Sequence, residues 1–304
     1  MNDKVSIVIA CKNEELHIEK CLLSIKAQTW KNIEIIVVDN NSTDKTKQIA
    51  KSYTNNVYNY GPERSAQRNY GLLNIATGKY GIYIDADMIL SPILIEVCVK
   101  NIKKEECTAL YISEVILGKT YFSKVRRFER TFYNGTVIDG ARFFNLNSLK
   151  EIGGFDEKLF QLGSGEDWDI DKSIKLTGRI ELIKAHSEEI SCEFWHLKSF
   201  IEKNGIRFDK NYVGIYHNES NVTLSSYLKK KKYYSIGFSG YIKKWGKNDP
   251  DIKKQFGFVY RYLMVFIENN KWKSFLKRPD LIFGLYVIKI CVGFNYLQMR
   301  LRNE

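Results

Sequence analysis

Three short apolar runs, each ending in an acidic or amide-rich turn, constrain this chain most. Val5–Ala10 is followed by Asn13-Glu14, Ile33–Val38 by Asp39-Asn40-Asn41-Ser42-Thr43-Asp44, and Gly81–Ile84 by Asp85-Ala86-Asp87. Unbroken apolar runs of this length read as strands buried on both faces. Glu14–Ala27 places Leu16, Cys21, Leu22 and Ile25 at helical spacing, and Ser65–Ile75 also reads as a helix. Strand, helix, strand, capped loop and helix in that order predict a mostly parallel α/β sheet flanked by helices. Such sheets bind ligands beyond the C-terminal ends of their strands, which is where these polar turns fall.

Further along, Ser91-Pro92 opens a helix towards Lys100, and Ala109–Leu117 is strand-like. Gly140–Asn145 is expected to enter the site as a strand from elsewhere. Ile152-Gly153-Gly154-Phe155-Asp156 is a turn, and Gly163–Asp167 leads into a helix through about Leu176. Glu181–Lys184 and Val213–Tyr216 read as edge strands. With 304 residues, 44% of them hydrophobic, the chain can bury a sizeable core. Six cysteines are scattered without a CxxC pair, so neither zinc nor disulfide framework is indicated.

The carboxylates carry the chemistry. Asp85 and Asp87 at the end of a strand offer hard oxygen ligands for one divalent cation, although turn capping would also account for them. Glu166-Asp167-Trp168-Asp169 suits a helix N-terminus, and equally supplies a base, with Trp168 as an apolar face for a sugar. Asp39 fits either a base edge or an Asx cap. Arg64 and Arg68, about one helical turn apart, can face one anion together or form surface ion pairs. His217 is a further metal ligand or a structural histidine, whereas His17, His186 and His196 read as structural.

Taken in series, these motifs resemble family 2 inverting glycosyltransferases with the GT-A fold. The resemblance covers roughly residues 4–220. It runs through Val5-Ser6-Ile7-Val8-Ile9, Asn13-Glu14, Ile36–Asp44, Arg68-Asn69-x-Gly71, Ile84-Asp85-Ala86-Asp87, Ile152–Asp156 and Glu166-Asp167-Trp168-Asp169. It implies a nucleotide-sugar donor, UDP-linked by preference, held by Ala10, Lys12, Glu14, Asp39, Asn41, Arg64, Arg68, Asp85 and Ala86. It implies Mn2+ or Mg2+ on Asp87 and Asp85, with His217 as an additional ligand. Asp167 would be the catalytic base, with Glu166 shaping the acceptor site and Trp168 and Gly140 beside it. The expected reaction is a single displacement with inversion. Two departures stand out. Residues 185–213, with Cys192, Trp195 and Lys198-Ser199-Phe200, read as an insertion able to form an acceptor lid. The Gln-x-x-Arg-Trp segment of processive synthases is missing, which predicts one sugar per encounter.

After His217 the composition changes, and a boundary is placed at residue 220: a catalytic domain over 1–220 and a basic, aromatic helical extension over 221–304. Residues 1–200 hold 27 Lys and Arg against 27 Asp and Glu, whereas residues 201–304 hold 20 against 8, so the whole net charge of +12 lies there. Lys229–Lys232, Lys243-Lys244-Trp245, Lys271-Trp272-Lys273 and Lys277-Arg278 place cations beside aromatic rings, as at a membrane–water interface. Leu281–Leu297 is too short to span a bilayer. It reads as an in-plane helix ending in Arg300 and Arg302, or as one packed on the catalytic domain or on a second subunit. The expected partners are thus a nucleotide sugar, a glycan or polyprenyl-linked acceptor and an anionic membrane surface, without nucleic acid, and with oligomerisation possible through the last helices. The N-terminus lacks a basic stretch followed by an apolar one, so a cytoplasmic location at the inner membrane face is expected.

Two other classes remain open from sequence. A sugar nucleotidyltransferase would carry a glycine-rich phosphate loop with a basic residue after the first strand, where this chain has Ala10-Cys11-Lys12-Asn13-Glu14. A non-catalytic nucleotide-sugar or membrane-binding scaffold would have little use for Asp85, Asp87 and Asp167 together.

Overall fold

A computed structural model describes residues 3–159, 165–184, 196–235 and 237–303, with side chains of the final helix through Asn295. Gly163, Ser164, His186, Cys192 and Trp195 lie outside the described residues, as do the side chains of Leu297, Arg300 and Arg302.

The three apolar runs form β1 (Val5–Cys11), β2 (Ile33–Asp39) and β4 (Tyr80–Asp85), with β3 (Val57–Asn59) between the last two in sequence. Among the described residues the main sheet has seven strands. They are joined by β8 (Ala141–Asn145), β6 (Ala109–Tyr111) and β9 (Ile180–Leu182), in the order β3-β2-β1-β4-β8-β6-β9. β1 pairs in parallel with β2 and β4, Ala10 lying between Val38 and Asp85. β8 runs antiparallel to β4 and β6. This is the mixed, mostly parallel α/β fold that the strand pattern predicts.

Both sheet faces are covered. Val5, Ile7 and Ile9 point to one face with the helices Ile18–Lys26 and Leu94–Lys104; Val8 points to the other, with residues of the helices Leu146–Glu151 and Glu166–Ile174. Period-two alternation with apolar side chains on both sides is the signature of a doubly covered sheet.

Several boundaries differ from the sequence pattern. The first helix begins at Ile18 rather than Glu14. Asn13 takes a positive φ of 56°, and the Asn13, Glu14 and Glu15 amides are spent on Ser42, Thr46 and Asp44 of the next loop. The run Ala109–Leu117 splits into β6 and β7 (Glu114–Leu117), which belong to different sheets. The strand expected at an edge near residue 213 is β10 (Ile215–Asn218), and it is the centre of a second sheet, β5-β10-β7, with β5 at Met88–Leu90. Its register sets His217 against Met88, one residue from Asp87. Propensity could not show this, because the pairing partners lie more than 90 residues away in sequence.

The C-terminal third is helical and folds back onto the body. Tyr227, Val265, Phe266, Phe275, Leu281, Leu285 and Ile288 form one core with Val125, Phe132 and Tyr133. The last helix, Pro279–Asn303, is therefore two-faced. Leu281, Leu285 and Ile288 are buried, while Phe283, Val287, Ile290 and Phe294 are 72%, 40%, 65% and 60% exposed. Among the described residues no helix is long and apolar enough to cross a membrane.

Candidate active site

The ends of β4 and β10 and the start of the 166–174 helix converge on one cleft of about 600 Å³. Arg68 is its hub. It is 1% exposed and stacks on the Tyr83 ring with its guanidinium carbon 4.1 Å from the centroid. Its two terminal nitrogens donate to Asp85 Oδ1 and Asp167 Oδ1, each at 3.1 Å, and Nη1 stands 3.8 Å from Glu166 Oε1. Arg64 donates to Glu166 Oε1 at 2.6 Å and lies over the Tyr234 ring. The arginines thus join the Asp85-Ala86-Asp87 turn to the Glu166-Asp167 turn, rather than forming exposed ion pairs.

Asn69 explains why two of the motifs go together. It donates to the Phe155 carbonyl and accepts from the Phe155 amide, both at 2.8 Å. That reciprocal pair locks the Gly153-Gly154-Phe155 turn to the helix Arg64–Asn69 and so aims Arg68. Asp167 follows Gly165, whose φ of +87° favours glycine. A Cβ on Gly140 would stand 2.9 Å from the Asp167 Cβ, so that glycine is what lets Asp167 sit against β8. Tyr83 Oη is 2.9 Å from Asp167 Oδ1 and donates to it or to the Ala141 carbonyl. Among the described residues no hydrogen bond reaches Oδ2, which leaves that oxygen available to a ligand's proton.

At the other side of the turn, Asp87 Oδ2 lies 3.3 Å from His217 Nε2, and His217 Nδ1 lies 3.6 Å from Glu114 Oε2. Burial alone would discharge His217, but Asp87 and Glu114 outweigh it and hold the ring protonated well above its usual range. For Asp85 burial opposes ionisation, and the neighbouring Arg68 and Arg142 outweigh it and hold the carboxyl far below the usual range. Glu14 is pushed up to about 7, by burial first and then by the charges of Asp87 and Asp85. Glu166 is raised by burial and by Asp167. Asp87 Oδ1 is buried without a hydrogen-bond partner. A buried, unpaired carboxylate oxygen beside a second carboxylate and a histidine suits a divalent cation. Among the described residues no preformed group of three or more ligands exists, so such a cation would draw further ligands from a diphosphate or water.

Ala10 and Ala86 are buried in the floor of the sheet edge and Lys12 and Asn41 are exposed at its rim. Asp39 is wholly buried, and both its oxygens accept bonds from Ser42, one from the amide at 2.8 Å and one from the hydroxyl. Trp168 lines the cleft, but its ring stacks on Phe238, 5.3 Å between centroids, and its Nε1–H donates to the Ile138 carbonyl. Lys244 and Trp245, expected at a membrane interface, are instead bonded to Asp169 at 2.8 and 2.6 Å. Sequence reasoning missed Tyr83, Glu114 and Arg142, whose roles depend on strand pairing, and Lys230 and Lys231, which line the cleft. The tetralysine run was visible, but not the side of the helix that faces inward.

The glycosyl transferase family 2 model matches residues 6–155. Residues 6–155 are a domain of this family. It is 28% identical over 200 residues to the glycosyltransferase GlyA of Streptococcus pneumoniae, covering 58% of this chain and 28% of that one. Over 94 residues it is 33% identical to a Campylobacter jejuni GalNAc(5)-diNAcBac-PP-undecaprenol beta-1,3-glucosyltransferase, covering 28% of this chain and 29% of that one. The chain thus spans less than a third of the length of either relative. Its fold is similar to that of a mannosyltransferase of Pyrobaculum calidifontis in complex with GDP-Man and Mn2+. The TM-score is 0.53 at 16% identity, covering 96% of this chain and 76% of that one. That similarity establishes the GT-A fold; the chemistry has to be argued from the cleft.

Proposed function

We propose that this chain transfers one sugar from a nucleotide-sugar donor, UDP-linked by preference, to an acceptor hydroxyl, with inversion and with a divalent cation. The observation that carries the assignment is the meeting of Asp85, Asp87, His217 and Asp167 around one cleft at the sheet's ligand edge. The donor's base would lie over the ends of β1 and β2, beside Asp39, Ala10 and Lys12, with Asn41 at the rim. Asp87 and Asp85, with His217 once the cation displaces its proton, would hold Mn2+ or Mg2+, with Glu14 nearby. That cation would neutralise the charge that develops on the leaving diphosphate. Asp167 would take the acceptor hydroxyl's proton as its oxygen bonds to the anomeric carbon and the bond to the diphosphate breaks. Arg68 holds Asp167 and Asp85 in fixed relation, and Glu166 with Arg64 shapes the acceptor side.

We further propose that residues 1–220 bind the donor and residues 221–304 bring the acceptor, a lipid-linked glycan, at an anionic membrane surface. Phe283, Val287, Ile290 and Phe294 form an exposed stripe at helical spacing. Phe258, Val259 and Leu263, 72%, 63% and 51% exposed, lie in the segment that packs on this helix through Tyr262 and Tyr286. An apolar face this large in a basic region is what a peripheral membrane helix presents. The Campylobacter relative acts, by its name, on a polyprenol-linked substrate, which is consistent with that acceptor class.

The test is nucleoside diphosphate release from a panel of donors, with Mn2+, Mg2+ or a chelator, with and without a membrane lipid extract. Release with one donor, abolished by chelation and stimulated by lipid, is expected. Absence of both release and cation-dependent donor binding would leave a scaffold instead of an enzyme.

A further inference from the structure

Away from the sheet edge the cleft has a chemistry that sugar transfer itself does not use. Arg126, Lys230, Lys231, Arg261 and Lys289 line it, and the carboxylates among the lining side chains there are Glu129 and Glu219. Glu129 is fully engaged: Arg126 Nη1 at 2.5 Å, Tyr133 Oη at 2.5 Å and Lys289 Nζ at 3.4 Å. Glu219 Oε2 stands 3.6 Å from Arg126 Nε, an ion pair in which neither atom makes a hydrogen bond. Arg126 Nε and Arg261 Nη1 are enclosed by protein and have no hydrogen-bond partner among the described residues. Arg126 and Lys231 lie 4.6 and 5.3 Å from the same Tyr227 ring. Like charges gathered on one aromatic wall, with donors unpaired, are costly unless an anion completes them. Burial, then Arg126 and Arg261, push Lys231 down to about 7, and burial pushes Lys289 down to about 8.

The cleft is therefore graded. Carboxylates lie at the sheet edge and cations beyond it; Ile288 and Val292, on the helix that carries Lys289, and Phe258 line the cleft with them, beside the exposed face of the last helix. We propose that the basic section is a subsite for the diphosphate that joins an acceptor glycan to its lipid chain. This rests on the transferase reading above and adds the chemical class that the acceptor must carry. A diphosphate is a polyvalent anion suited to converging guanidinium and ammonium groups. The apolar wall beside them accounts for a prenyl chain and serves no part of a nucleotide sugar. The donor's own diphosphate is the other source of the same chemistry, and it belongs at Asp85 and Asp87 with the cation.

The experiment titrates the full chain with farnesyl diphosphate, farnesol and inorganic pyrophosphate, each with and without saturating UDP and Mg2+. Farnesyl diphosphate should bind at least tenfold more tightly than farnesol, and UDP should not displace it. In Lys231→Met/Arg261→Met its affinity should fall at least tenfold, while UDP affinity and melting temperature stay at the wild-type values. Equal binding of farnesol and farnesyl diphosphate, or displacement by UDP, would overturn the subsite. So would a folded double variant that binds farnesyl diphosphate normally. If the double variant does not fold, the wild-type competition decides alone. A chain that releases nucleoside diphosphate from a sugar donor yet ignores farnesyl diphosphate keeps the transferase reading and loses the subsite. One that binds farnesyl diphosphate and no donor does the reverse.

Discussion

The two ends of the cleft handle charge in opposite ways. At the sheet edge Arg68 and Arg64 are paired with Asp85, Asp167 and Glu166, so opposite charges balance there even though Arg68 Nε, Arg142 Nη1 and Asp87 Oδ1 make no hydrogen bond. At the helical end five cations, Arg126, Lys230, Lys231, Arg261 and Lys289, gather around Glu129 and Glu219, so positive charge is in excess there, and Arg261 Nη1 is enclosed without a hydrogen bond. A compensated network is already in place before any ligand arrives and can hold reacting groups in register. An uncompensated one is stable only because it is part-solvated, and it gains most when an anion enters.

That contrast can be broken from the catalytic end first. Asp167→Asn keeps the size and hydrogen-bonding reach of the side chain but removes the base. Turnover should fall on the order of 10²–10⁴-fold while donor binding persists, measured as nucleoside diphosphate release and donor titration. Unchanged turnover would transfer the base role elsewhere. Arg68→Ala tests whether the acid end is compensated internally. Removing one partner from a buried ion pair costs about 3–5 kcal/mol, so the denaturant midpoint should drop accordingly. A change within about 0.5 kcal/mol, the ordinary range for surface substitutions, would mean that the network is no more than a surface arrangement.

The helical end is tested by its outer and inner faces. Phe283→Asp with Ile290→Asp should weaken binding to anionic vesicles at least tenfold, since each large apolar side chain contributes about 1.5–3 kcal/mol when fully buried. Melting temperature should not fall, because both side chains are exposed. A sedimentation shift from dimer to monomer in the same variant would identify the face as a subunit contact instead.

The smallest effect is expected from pH. Lys231 is faced by Arg126 and Glu129 from the 121–131 helix, by Arg261, by Lys289 from the last helix and by Lys230 on its own. With its ammonium pushed down to about 7, it is charged below that pH and neutral above. Farnesyl diphosphate affinity should therefore fall by a few-fold as pH rises from 6 to 8.5. Lys231→Arg, charged throughout, should remove the part of the fall centred near pH 7 and leave the part near pH 8 that belongs to Lys289. A flat wild-type profile would show that Lys231 is not titrating near neutrality.

The main sheet was legible because β1, β2 and β4 are buried on both faces and therefore continuously apolar. Their polar ends were legible because loops at a sheet's ligand edge carry capping residues and ligands alike. The same logic pointed to Asp85 and Asp87, whereas Asp167 was pointed to by its acidic helix start and by the resemblance to the family. It failed for Lys244 and Trp245, whose pattern beside other cations and rings is the same whether they face lipid or, as here, bond Asp169. For Trp168 it could not show that the ring, while lining the cleft, is stacked on Phe238.

By itself, the sequence determined the positions of β1, β2 and β4, the carboxylate-bearing turns and the segregation of positive charge into the last third, because these are local patterns of burial, capping and composition. Only the tertiary structure decided that Arg68 bridges two turns 82 residues apart in sequence, that β10 carries His217 to Asp87, and that Lys230 and Lys231 turn into the cleft. Those are long-range contacts, fixed by strand register and by which helix face meets the core.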